Sequence, residues 1–182
     1  MFRKFDDKEN ISSVNNAKNS VQKGIRNTIL TQYPGCADYV DQILPKKETL
    51  SVVKCHEHIE LYANPAGEVL FFRQRDSPLY PSLKLLHRYP FMLPHMQADK
   101  GAIKFLLNGS NVMCPGLTTP GGRLSQVPAS TVVAVMAEGK QHALAIGLTA
   151  MSADEIASKN KGVGIETVHC LNDGLWRLRS VK

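Results

Sequence analysis

Lys100 and Lys104 stand four residues apart in the segment KGAIKFLL. That spacing puts two side chains on one face of a helix. Two ammonium groups on one face suit a phosphate backbone, so the chemistry on offer is binding, with no bond made or broken. Gly101 at the start of the helix would let another backbone approach closely. The helix N-terminus would present free N–H groups and its positive dipole end to a phosphate. Ile103, Phe105 and Leu106, set among the lysines, are expected to bury against the rest of the domain. A solvated basic face is the competing reading.

Other cations extend this reading. Arg123 lies in a glycine-rich loop, Lys140 in the turn Glu138-Gly139-Lys140-Gln141, and Lys161 beside Lys159 at NKGVG. Arg177 and Arg179 alternate on an expected last strand and would share one face, with Trp176 on the other, packed inward. In the first half, Lys46 and Lys47 follow Pro45 in an exposed turn, and Arg73 and Arg75 would share a strand face. These four read either as a contact with RNA or a partner, or as solvated charge. Thr119-Pro120 and Ser77-Pro78 are loop sites compatible with proline-directed phosphorylation. A phosphate on Thr119 would oppose binding of a polyanion nearby.

The sequence Cys55-His56-Glu57-His58 raises a metal reading. On a strand, the two histidines face one side and Cys55 and Glu57 the other. A closed zinc site needs four ligands, and neither HExxH nor a cysteine pair is present. The reading is a polar strand face or part of a partner contact, with no metal and no cofactor. Catalytic patterns are equally lacking: no GxSxG, no P-loop, no GxGxxG. Cys114, before Pro115-Gly116, reads as an ordinary buried thiol.

The elements that must carry these residues follow from periodicity. Val21, Ile25 and Ile29 predict a helix over Ser20–Gln32, and a second, short helix is expected at 37–44. LSVVKCHEHIELYA and EVLFFRQR flank Asn64-Pro65-Ala66-Gly67 and read as a hairpin. PSLKLLHRYP reads as a short helix. The two prolines of PFMLPH mark the boundary, giving domains at 1–91 and 92–182. Beyond it come a helix at 101–107, a strand at 111–114 and a loop at 115–122. A hairpin, TVVAVMA with HALAIGLTAM, follows, then a helix starting at Ser152 and two closing strands. The second half therefore reads as a small closed barrel.

Bulk properties agree with this. The chain has 182 residues, 22 Lys and Arg against 16 Asp and Glu, and a net charge of +6. Each half carries +3, so there is no basic tail. The sign favours a polyanionic partner. Four dispersed cysteines predict reduced thiols in a cytoplasmic protein. The charged MFRKFDDKEN start argues against a secretory signal, and the longest apolar run is far short of a membrane span.

Three blocks in order, DKGAIKFLLNGSNVMCPGL, VVAVMAEGKQHALAIGL and KGVGIETVHCLNDGLW, resemble a PUA domain. With MFRKFDDKEN, CHEHIELY, FFRQR and LHRYPFMLPH, nearly the whole chain resembles the malignant T-cell-amplified sequence family, which is similar to the N-terminal region of ligatin. The resemblance implies an α+β fold, an N-terminal mixed α/β domain packed on a C-terminal PUA-type β pseudo-barrel. It also implies a non-catalytic role in translation with density-regulated protein, on the small ribosomal subunit. That role covers reinitiation, non-canonical initiation and post-termination recycling with release of deacylated tRNA, through contacts with tRNA and rRNA. An RNA-targeting subunit of an RNA-modification machinery is the alternative. A catalytic domain for such chemistry would be short in roughly 90 residues. A pure protein-interaction module is a third reading, against which steeply salt-dependent RNA binding would count.

Overall fold

The computed structural model describes all 182 residues. The first half comprises α1 (Asp7–Asn10), β1 (Ile11–Asn16), α2 (Asn19–Gln32), α3 (Val40–Ile43), β2 (Ser51–Cys55), β3 (Ile59–Ala63), β4 (Val69–Gln74), β5 (Tyr80–Pro81) and α4 (Leu83–Arg88). Its strands form an antiparallel sheet in simple sequence order, β1 through β5. Ile25 and Ile29 of α2 are buried, whereas Val21 is exposed. Ser82 caps α4, accepting from the Leu85 N–H at 3.2 Å.

The second half comprises β6 (His95–Ala98), α5 (Ile103–Leu107), β7 (Val112–Met113), α6 (Cys114–Thr118), β8 (Val132–Ala137), β9 (Ala145–Thr149), α7 (Ala153–Lys159), β10 (Val163–Cys170) and α8 (Gly174–Arg177). The strands run β6-β8-β9-β10-β7, with β6 and β8 parallel and the other pairs antiparallel. Ser152 caps α7, accepting from Glu155 N–H. The fold is thus α+β, with an N-terminal α/β unit against a PUA-type half-barrel.

Strand β8 explains why VVAVMA carries no polar alternation. Val133, Val135 and Ala137 fill the barrel interior, while Val132 and Ala134 join the core of the first half. A strand covered on both faces reads as a continuous apolar run.

Four local expectations need correcting. Residues 50–63 are two strands, not one: β2 and β3 are joined at His56-Glu57-His58, where Glu57 and His58 have φ of 60° and 59°. The two histidines therefore share no strand face. Cys114-Pro115-Gly116 opens α6 rather than a loop, because proline suits the first turn of a helix. The second short helix shrinks to Val40–Ile43, preceded by a 3₁₀ turn at Pro34–Cys36. The last expected strand is α8 and an extended tail, so Arg177 and Arg179 share no strand face. Asp173 is the reason. Its side chain caps α8 by accepting from Trp176 N–H at 2.8 Å.

Both chain ends close the seam between the two sheets. Phe2 is fully buried, with its ring edge-on to Phe72 at 4.9 Å and to His169 at 5.8 Å. Gly174 N–H donates to Phe2 O at 2.9 Å; a Cβ on Gly174 would sit 2.2 Å from Phe5 O. At the other end Val181 N–H donates to Gly67 O at 2.8 Å. Gly67 has φ of 83°, and a Cβ there would meet Val181 O at 2.4 Å, so this close approach requires glycine.

Candidate nucleic-acid interface

The Lys100–Gly101–Ala102 turn leads into α5 at one end of the half-barrel. Two of its N–H groups are already taken. Asp99 Oδ1 accepts from Ala102 N–H at 3.0 Å, and Glu138 Oε2 accepts from Lys100 N–H at 3.0 Å. Two carboxylates thus occupy the place expected for a phosphate. What the end still offers a polyanion is side-chain charge. Lys100, Lys104 and Lys140 are all exposed. Lys140 emerges at the same end of the sheet as Lys100 because β6 and β8 run parallel, pairing Ala98 with Ala137 shortly before these residues. Glu138 N–H donates to Ala98 O at 2.9 Å and fixes that junction.

Burial on α5 also differs from expectation. Leu106 is buried and Ile103 partly so, but Phe105 is 53% exposed. The five-residue helix turns Phe105 outward, with the Lys104 ammonium 5.0 Å from its ring centroid. An exposed aromatic beside lysines is suited to base stacking over a phosphate-tracking surface.

Arg123 lies alongside β6. It exchanges backbone hydrogen bonds with Gln97 at 2.9 Å, and its Nη2 donates to Gln97 Oε1 at 2.8 Å. Thr119 follows α6, and its hydroxyl donates to Asp99 Oδ2 at 2.5 Å. Lys161 is exposed after α7, next to Gly162, whose carbonyl accepts from Cys114 N–H at 2.9 Å. Lys159 is held by Glu155 at 3.1 Å. Arg177 and Arg179 stand at the seam instead. Arg177 Nε donates to Asp173 O at 3.4 Å, and Arg179 lines a small cleft with Lys84, Glu68 and Trp176. Trp176 packs against the first-half core, with Lys84 5.6 Å over its ring.

In the first half, Lys46 and Lys47 are exposed after α3. Lys46 lines a cavity of about 420 Å³ with Lys23 and Arg26. Arg26 is already bound to Asp41 at 2.6 Å and to Leu44 O at 2.5 Å. Arg73 and Arg75 do not share a strand face, since β4 ends at Gln74 and Arg75 has φ of 50°. Arg73 lies 3.2 Å from Glu60, which also accepts from Tyr62 Oη at 2.6 Å. Burial would raise the Glu60 carboxyl, but the Tyr62 and Arg73 hydrogen bonds hold it below the usual range.

Sequence reasoning overlooked the acids Asp99 and Glu138. An Asp directly before KGA is a capping signal and could have been read. It also overlooked an exposed aromatic group in which Tyr39 lies 4.8 Å from Phe91 and 5.9 Å from Tyr89.

No group of three His, Cys, Asp or Glu is arranged to hold a metal ion. No helix is long and apolar enough to cross a membrane. A Pre-PUA-like domain followed by a PUA domain places the chain among RNA-binding proteins of the PUA class. The Pre-PUA-like domain matches residues 5–90 and the PUA domain residues 94–171.

The chain belongs to the malignant T-cell-amplified sequence family. It is 58% identical to malignant T-cell-amplified sequence 1-A of Xenopus laevis over 182 residues, covering 100% of both chains. It is 56% identical to the Drosophila melanogaster homolog over the same span, and 54% identical to malignant T-cell-amplified sequence 2 of Homo sapiens. Among solved structures, it is similar to hypothetical protein PH0734.1 of Pyrococcus horikoshii. That match has a TM-score of 0.72 at 22% identity and covers 90% of this chain and 98% of that one, a likeness of fold.

Proposed function

We propose that this chain is a non-catalytic, cytoplasmic translation factor. It works as half of a heterodimer with density-regulated protein on the small ribosomal subunit. Its tasks are reinitiation, non-canonical initiation and post-termination recycling with release of deacylated tRNA. Family membership across the full length is the observation that carries this reading. The division of labour follows the domains, 1–91 and 92–182. The barrel end grips tRNA or rRNA through Lys100, Lys104 and Lys140, with Gly101, Arg123 and Lys161 flanking. Phosphate contacts position the protein and carry no sequence information. Lys46, Lys47, Arg73, Arg75, Arg177 and Arg179 supply further contacts with rRNA or the partner.

Charge reversal tests the reading. The triple variant Lys100→Glu/Lys104→Glu/Lys140→Glu is expected to bind small subunits and tRNA on the order of a hundredfold more weakly at physiological salt, with the salt slope lowered by about 2 to 3. Its melting temperature and its binding to density-regulated protein should match the wild type. Wild-type affinity in this variant would remove the barrel end from RNA contact.

Thr119 gives a subtler test. A negative charge there abuts Asp99 and the Lys100 end, so Thr119→Glu is expected to weaken RNA binding several-fold, measured by fluorescence anisotropy. Unchanged affinity would sink this expectation.

A further inference from the structure

Three residues of the first half have a left-handed backbone that glycine and asparagine normally take: Glu57, His58 and Arg75. They are one unit. Arg75 N–H donates to His58 O at 3.1 Å, and the Gln74 side chain donates to Glu57 O at 3.1 Å. All three are exposed, so packing does not explain the choice of side chain. Glycine at each position would relieve the strain. A left-handed backbone carrying an exposed charged or titratable side chain, where glycine would be unstrained, points to use of that side chain.

The strained unit borders a cavity of about 360 Å³, lined by Lys54, His58, Glu60, Arg73, Arg75 and Asp76 among others. Strand register sets Lys54, Glu60 and Arg73 side by side across β2, β3 and β4. Glu60 is consumed by Tyr62 and Arg73. Lys54 and Arg75 have no side-chain hydrogen bond or ion pair within the chain. Asp76, exposed at the rim, is the one unengaged acid. A convergent lysine, arginine and imidazole around a hollow are donors arranged for a tetrahedral oxyanion.

We propose that the His56–His58 turn and the end of β4 form a phosphate-binding site in the first half, which holds the phosphodiester backbone of RNA as a second grip remote from the barrel end. It deepens the RNA-binding reading above and rests on it. Of the motif that resembled a metal site, His58 thereby gains a role as a phosphate donor beside Lys54 and Arg75. The motif's spacing serves a turn and not a coordination sphere.

The test uses the full chain and a fluorescein-labelled 20-nucleotide single-stranded RNA, across 50–200 mM salt. The double variant His58→Gly/Arg75→Gly is expected to melt about 4 °C higher, because strain is relieved. It should bind the RNA about tenfold more weakly. Asp76→Asn should bind about fivefold more tightly, and competition by inorganic phosphate should be weaker in the double variant. Wild-type RNA affinity in both variants overturns the proposal. If the glycine variant loses stability, Asp76→Asn alone decides. If the barrel-end lysine variant also keeps wild-type affinity, the RNA-binding reading itself fails. A loss in that variant alone rejects only the second site.

Discussion

Alanine at Asp173 is expected to cost about 3–5 kcal/mol of stability, the scale for leaving several buried hydrogen-bonding groups without a partner. The carboxylate is 6% exposed and makes three hydrogen bonds. Oδ2 accepts from His169 Nδ1 at 2.6 Å and from Cys170 N–H at 2.9 Å, while Oδ1 accepts from Trp176 N–H at 2.8 Å. Removal orphans an almost fully buried imidazole and two backbone donors, and leaves α8 uncapped. A fall in melting temperature of roughly 10 °C would follow for a chain of this size.

Acid titration gives a second readout. Burial pushes the Asp173 carboxyl up, but His169 and the two N–H donors outweigh it and hold the group below its ordinary value. A depressed carboxyl contributes stability in full above its unfolded-state value, near pH 4, and loses it as pH falls through the folded value. Wild-type stability should therefore fall below about pH 4, and Asp173→Asn should flatten that limb. An unchanged acid limb in Asp173→Asn would assign it to other carboxylates.

Truncating Phe2 to alanine is the second large effect, about 3–5 kcal/mol for a fully buried phenyl ring. The ring is 0% exposed, edge-on to Phe5 at 5.5 Å, to Phe72 at 4.9 Å and to His169 at 5.8 Å. It thus touches the N-terminal segment, the first sheet and the second at once. Phe2→Ala and Asp173→Ala both unseat His169, so the double variant should lose less than the sum of the two. Chemical denaturation measures this directly. Strict additivity would show that the two groups act independently. Amide exchange should speed at Gly174 in Phe2→Ala, since the Phe2 carbonyl accepts its N–H.

Much of the architecture was legible because side-chain spacing acts locally. The four-residue interval of Ile25 and Ile29 set α2. Asn64-Pro65-Ala66-Gly67 set a hairpin, and Ser152 followed by Glu155 set a helix start. The reverse at His56–His58 was hidden because no glycine or asparagine marks it. Alternation in LWRLRS looked like a strand because the cap from Asp173 acts through a side chain that periodicity does not weigh. At the barrel end the lysines were readable as charge. The two carboxylates that occupy its N–H groups were not, because Glu138 arrives from a hairpin far along the chain. Phe105 read as core for a similar reason, since a five-residue helix presents too little surface to bury every apolar side chain.

The crossed fastening of the two ends has a consequence for the nascent chain. Phe72 is covered by Phe2 and His169, and Gly67 holds Val181. The first sheet is therefore translated long before His169 and Val181, the late residues that complete its seal. At about 5–20 residues per second, its apolar flank stays uncovered for seconds while the barrel is still being made. A transcript broken within its second half would release a polypeptide with that flank bare and prone to aggregation.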